Sequence, residues 1–138
     1  MRTFYVFKIN KELSVLLDES PYNIYKTLEG IYLLDKTSVS YGKDMLEQVT
    51  SLIDKEKINK QIFEKNKDND FYTLVGNNHR ILNKYRQEET NIFVRRTHIL
   101  ITTNVLPRNI NSFLPANDLF VCDFENKDYF WLSKLVLL

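Results

Sequence analysis

The chain has 138 residues, of which 43% are hydrophobic, 13% aromatic and 27% charged; this fits one folded domain over residues 1–138 and excludes a disordered tail. Its formal net charge of +1 at pH 7 disfavours a protein that coats DNA or RNA, because such proteins are strongly basic. The single cysteine excludes an internal disulfide, and three glycines nearly exclude a glycine-rich phosphate loop.

The N-terminal segment is predicted to form a strand followed by a short helix. β-branched and aromatic residues predict a buried strand over 3–9. The pattern then changes period, and Leu13, Leu16 and Leu17 recur at helical spacing over 11–18. The three leucines either all enter the core, or Leu13 and Leu17, which share a face at i, i+4, form part of a docking patch for another protein.

Three further helices are predicted before the middle of the chain. Ser20 is a favourable N-cap and Pro21 a favourable first residue for a helix that runs to about residue 34. A third helix is predicted over 41–53, opening at a serine just before it. Asp54 is the expected N-cap of a fourth helix, and a polar loop is expected over 65–70.

The rest of the chain is predicted to be mostly strands, arranged in pairs around turn residues. The predicted strands span residues 71–75, 79–82, 91–94, 98–103, 119–124 and 129–132. We therefore predict a single α+β domain, with an N-terminal strand, three to four helices, and then a mostly antiparallel set of strands forming one sheet with helices on it.

The residue types that usually carry catalysis do not form a recognisable site. His79 and His98 are not at a metal-ligand spacing, and both are interpreted as polar packing residues. Cys122 shares the aromatic face of an alternating strand with Phe120 and Phe124, which favours a buried thiol over a nucleophile paired with a histidine. Two aspartate pairs could bind a cation weakly but more commonly form turns: Asp68 with Asp70, and Asp123 with Asp128. We expect no enzyme activity, no cofactor and no metal.

Two basic features support an alternative hypothesis, a small nucleic-acid-binding module. Lysines recur along the helix predicted within 55–67, and Arg95 and Arg96 form a pair between two strands. The lysines alternate with acidic residues, so a solvated helix face is the more common explanation. We expect no direct nucleic-acid binding.

The N-terminus lacks the features of a signal peptide, since its apolar run is short and Lys8 interrupts it. No stretch approaches the ~18 apolar residues of a transmembrane helix. We expect a cytoplasmic protein with no membrane contact.

Three stretches taken together resemble the sporulation inhibitor of replication family, SirA. They are residues 1–12, which open with the sequence Met-Arg-Thr-Phe-Tyr-Val-Phe-Lys, residues 99–104, and residues 120–132. The last is the most specific, because the family places an aspartate-phenylalanine pair, a polar turn and an aromatic-then-leucine strand near the C-terminus. Here these are Asp123 and Phe124, then the turn, then Trp131 and Leu132.

The resemblance implies a DNA replication inhibitor that binds the N-terminal domain of the initiator DnaA and blocks initiation as cells commit to sporulation. Such proteins act by protein–protein interaction and need no catalytic site. The family's docking surface uses its first helix, whose matching positions here are Leu13 and Leu17, where relatives often carry aromatic residues. The neighbouring predicted helix is expected to add Glu47, Gln48 and Ser51.

Overall fold

The computed structural model describes residues 1–16, 20–37, 50–105, 110, 112–114 and 119–132, without the side chains of 13 and 34–37. Its elements, in chain order, are β1 (Arg2–Phe7), α1 (Lys11–Leu16), α2 (Pro21–Thr37), α3 (Lys55–Asn66), β2 (Tyr72–Val75), β3 (Asn78–Asn83), β4 (Glu88–Val94), β5 (Ile99–Thr103), β6 (Phe120–Asp123) and β7 (Asp128–Trp131). The predicted α+β fold is confirmed: an N-terminal strand, then helices, then antiparallel strands of one sheet.

The strands form one seven-stranded antiparallel sheet in the order β2-β3-β4-β5-β1-β6-β7. β2 to β5 follow one another through hairpins, and β6 and β7 form another hairpin. The N-terminal strand β1 lies between the two groups and pairs with β5 on one side and β6 on the other. Its backbone groups therefore hold the two groups of strands in one sheet.

Both faces of the central strands are buried, and alternate residues of β1 point to opposite faces. Phe4 and Val6 enter the α3-side core, which also contains Ile62, Ile92, Ile101 and Val121. The other face carries the α2-side core, in which the buried residues are Phe7, Ile9, Ile24, Tyr25, Leu28, Phe120, Cys122 and Phe124. The predicted alternation of β6 is thus confirmed.

Side-chain caps begin the two longer helices, as predicted. Ser20 Oγ accepts a hydrogen bond from the Asn23 backbone N–H at 3.4 Å, and Asp54 Oδ1 accepts one from Lys57 N–H at 3.2 Å. Both bonds satisfy amide groups that the first turn of a helix leaves without partners. No helix in the described ranges is long and apolar enough to span a bilayer.

The polar loop predicted over 65–70 begins later in the structure than predicted, because the helix before it is longer. Lys65 and Asn66 belong to α3, and Asn66 is buried with its Nδ2 donating to the carbonyl oxygens of Ile62 and Phe113. The Asn66 side chain thus connects the end of the helix to Phe113, which is distant in sequence. The polar composition of 65–70 did not predict this contact.

The end of the predicted third helix is also wrong. Residues 38–49 lie outside the described residues, but 50–53 are extended rather than helical. Thr50 forms an isolated antiparallel bridge with Ile9, and Ser51 N–H donates to the Lys8 carbonyl oxygen at 2.7 Å. Ile53 N–H donates to the Arg96 carbonyl oxygen at 2.8 Å. Pairing with distant backbone overrides the helical periodicity of this segment.

We expect Ile101→Ala to lower the free energy of unfolding by about 2–5 kcal/mol, because it leaves a cavity in the α3-side core. Ile101 is fully buried and lies opposite Phe4 in the β1–β5 pair. Urea unfolding followed by circular dichroism measures the change. Exposed Val15 is the matched control, and Val15→Ala should change stability by no more than about 0.5 kcal/mol. An equal loss in the two variants would contradict this assignment of the core.

Candidate functional site

The helix α1 presents apolar side chains to solvent. Leu16 is 79% exposed and Val15 is 66% exposed. The helix is six residues long, and Asn10 fixes its start, because Asn10 Oδ1 accepts the Glu12 N–H and the Asn10 carbonyl oxygen accepts the Ser14 N–H. Leu13, Leu16 and Leu17 therefore do not all enter the core, because Leu16 is exposed.

A groove of 560 Å³ lies beside this helix and is here called the α1 groove. Its lining residues are Lys8, Ile9, Asn10, Lys11, Glu12, Ser14, Ser51 and Trp131. They come from the link between β1 and α1, the start of α1, the extended segment before α3, and β7. Such a groove can take up an apolar side chain of a partner, while the charged residues of the groove contact polar atoms of that partner.

The structure brings one predicted binding residue, Ser51, next to the first helix. Ser51 lies in the extended segment, not on a helix as predicted, and its backbone bond to Lys8 fixes it at the α1 groove. The side chain of Leu13 and the residues Leu17, Glu47 and Gln48 lie outside the described residues.

The other lining residues of the α1 groove were missed by sequence reasoning. Ile9, which follows β1, and Trp131, the last residue of β7, are apolar, and Lys8 and Lys11 are ordinary surface lysines by type. Only the pairing of β1 with β6, and of β6 with β7, brings Trp131 near Ile9. No local sequence pattern carries that information.

The aspartate-phenylalanine motif has a structural role at the β6–β7 hairpin. Asp123 is 1% exposed and accepts hydrogen bonds from Arg2 Nε at 2.9 Å, Asn126 N–H at 3.1 Å and Asn126 Nδ2 at 2.8 Å. Burial alone would raise the pKa of Asp123, but the bonds from Asn126 and Arg2 outweigh it and lower that pKa. Arg2 Nη2 also contacts Asp128 at 3.2 Å, so this aspartate pair binds an arginine of β1.

His79 is a buried packing residue, as predicted, and it joins α3 to the sheet. Its Nε2 lies 2.7 Å from Asn59 Oδ1, and its Nδ1 lies 2.7 Å from the Tyr72 hydroxyl oxygen. Since the amide oxygen of Asn59 can only accept, Nε2 carries the proton and Nδ1 accepts from Tyr72. Burial lowers the pKa of His79, because charging the ring in the core is unfavourable.

Cys122 is also a core residue, as interpreted from the sequence. It is fully buried, and burial raises the pKa of its thiol, which disfavours the reactive thiolate. His98 contacts the rings of Tyr5 and Phe7, with ring centroids 5.4 and 5.8 Å away. Across the described ranges, no three His, Cys, Asp or Glu side chains are grouped to hold a metal ion.

The basic residues of the alternative hypothesis all lie within the described residues. Lys55, Lys57 and Lys60 are exposed on α3, and Arg95 and Arg96 are exposed in the β4–β5 turn. The hydrogen bond that Ile53 donates to the carbonyl of that turn places the start of α3 beside it. The structure thus places the Arg95–Arg96 turn beside the start of α3.

No family model matches the chain, and no curated protein matches it.

We expect stability to fall as pH drops below about 6.5, the ordinary pKa of histidine, because the unfolded chain takes up a proton at position 79 before the folded chain does. The contribution of His79 is complete above that pH and is lost as pH decreases. His79→Gln keeps a donor and an acceptor but does not titrate. Urea unfolding of both proteins between about pH 5 and 7.5 should show a steeper pH dependence for the wild type. Parallel curves would contradict a buried, neutral His79.

Proposed function

We propose that the protein is a non-catalytic inhibitor of DNA replication initiation that binds the N-terminal domain of DnaA in the cytoplasm of a cell committing to sporulation. The observation that carries the proposal is the exposed apolar surface of α1, formed by Val15 and Leu16 beside the α1 groove. The resemblance of three stretches of the sequence to the SirA family supplies the partner, since that family docks through its first helix.

The composition of this surface supports inhibition in which the protein covers a surface of its partner. Apolar side chains that leave water on docking contribute roughly 1.5–3 kcal/mol each before the cost of association is subtracted. Lys8 and Lys11 at the groove are placed to contact carboxylates of a partner, which favours encounter more than final affinity. A protein of this kind inhibits by covering a surface that the initiator needs, so one inhibitor molecule acts on one target molecule.

The residues of the proposed interface are inferred either from the described surface or from the sequence. Val15, Leu16 and Ser51 follow from their places on the described surface. Leu13 and Leu17 follow from the resemblance. Glu47 and Gln48, from the neighbouring segment, complete the set of residues proposed from the sequence.

We expect Leu16→Asp to weaken binding to the isolated DnaA N-terminal domain at least about tenfold, because a charge replaces an apolar side chain that becomes buried on docking. Leu13→Asp with Leu17→Asp should have a similar effect. Titration calorimetry with the full chain measures the affinity. Since Leu16 is exposed, its substitution should leave the fold intact, and circular dichroism checks this.

The matched control is Tyr85→Asp, which places the same charge on an exposed residue of the β3–β4 turn. It should bind like the wild type. Absence of binding by the wild-type chain would overturn the proposed partner. Equal binding by the Leu16→Asp and Tyr85→Asp proteins would overturn the α1 interface but not the partner.

The second candidate function is nucleic-acid binding, favoured by the contact that places the start of α3 beside the Arg95–Arg96 turn. It predicts that affinity for a labelled duplex or single strand falls steeply with salt, because neutralised phosphates release counterions. Arg95→Ala with Lys57→Ala should reduce both the affinity and the salt slope. No detectable binding at about 50 mM salt would exclude this function.

A further inference from the structure

Within the described part of the chain, no strand pairs with the outer side of the edge strand β2. β2 ends the sheet and pairs with β3. A tight turn at Gly76, whose φ is +62°, closes the hairpin directly after Val75, so Val75 and Thr73 exchange hydrogen bonds with β3. The bond from Leu82 N–H to the Phe71 carbonyl oxygen continues the same alternation. The N–H and C=O of Leu74 therefore point away from the sheet.

This edge is apolar and carries no protective charge. Leu74 is 45% exposed, and Val75 beside it is exposed as well. β2 has the sequence Tyr-Thr-Leu-Val, without a lysine, a proline or an acidic residue. Natural proteins commonly guard open edges with such residues, because an unguarded edge readily accepts another strand. The composition of β2 is therefore typical of an edge strand that can accept a further strand on its outer side.

A groove of 360 Å³ runs between β2 and α3 next to this edge. Phe63 from α3 and Leu74 from β2 supply its apolar lining, and buried His79 also lines it. Lys60 from α3 is the one charged residue among the described lining residues, and its side chain is exposed. The groove can therefore hold an apolar side chain with a carboxylate next to it.

We propose that the β2 edge binds an extended acidic segment of another protein, which adds an eighth strand to the sheet. The backbone of that segment pairs with the N–H and C=O of Leu74, one of its apolar side chains enters the groove, and a carboxylate pairs with Lys60. A second copy of this chain fits less well, because β2 itself offers no carboxylate to Lys60. Charge complementarity thus favours a different, acidic partner.

This site lies at the opposite end of the sheet from the α1 groove, which Trp131 of β7 lines. It is separate from the surface assigned to the initiator under the proposed function. A chain with both surfaces can hold two partners at once, one on α1 and one on β2. The proposal does not depend on the identity of the protein bound at α1.

The first experiment uses a labelled peptide of about eight residues that alternates valine and threonine around a central aspartate, and a counterpart with lysine in place of the aspartate. Fluorescence polarisation should show binding of the acidic peptide and about tenfold weaker binding of the lysine peptide. Lys60→Glu should reverse that preference. Lys57→Glu, on the same helix but outside the groove, should behave like the wild type. Equal affinity for the two peptides would overturn the charge complementarity on which the choice of partner rests.

The second experiment tests strand addition itself. Leu74→Pro removes the outward N–H without removing a ladder hydrogen bond, and Leu74→Ala removes the apolar side chain but keeps the N–H. Leu74→Pro should bind the acidic peptide about fivefold to tenfold more weakly than Leu74→Ala, the loss expected for one hydrogen bond. Hydrogen exchange of the wild-type chain gives an independent readout, because the free Leu74 amide should exchange quickly and the peptide should protect it.

Further outcomes would overturn the proposal. They are the absence of peptide binding, unchanged exchange at Leu74 on peptide addition, and equal affinity of the Leu74→Pro and Leu74→Ala variants. Concentration-dependent dimerisation that Leu74→Pro abolishes would also overturn it, since it would assign the edge to a second copy of the chain. If Leu74→Pro does not fold, the exchange measurement on the wild type decides.

Discussion

The pairing of β1 at the centre of the sheet is the constraint on which the structure depends. Its backbone joins the β2–β5 hairpins to the β6–β7 hairpin, and its side chains enter both cores, Phe4 on one face and Phe7 on the other. The salt bridge from Arg2 to buried Asp123 ties the start of this strand to the β6–β7 turn. A strand in this position must be apolar on both faces, which explains the aromatic opening of the sequence.

The two cores are filled by other elements, and α1 carries apolar side chains on the surface. The α2-side core is filled from α2 and the sheet, so the apolar side chains Val15 and Leu16 are left exposed. The bridge between Ile9 and Thr50 holds the chain on both sides of the α1 groove. An exposed helix on a fixed base loses little freedom when it docks, which favours its use as a binding surface.

Local chemistry made much of the fold predictable, whereas the site depends on long-range pairing. The caps Ser20 and Asp54 and the alternation along β6 could be predicted because each depends on neighbouring residues. The extended backbone at Thr50 could not, since its partner in the bridge is Ile9. The exposure of Leu16 could not be predicted either, because apolar spacing in a six-residue helix does not show which face meets the core.

The central position of β1 has a consequence for synthesis of the chain. Arg2 and its partner Asp123 are 121 residues apart in sequence, so β1 is synthesised long before β6, the second of its two pairing partners. Sheets that depend on such distant contacts fold slowly, since loop closure precedes the gain from pairing. Until β6 is synthesised, one edge of the apolar strand β1 is without its partner, and unpaired edges of this kind favour aggregation. The strand that joins the two groups of strands in the sheet is thus also one whose second edge is paired only late in synthesis.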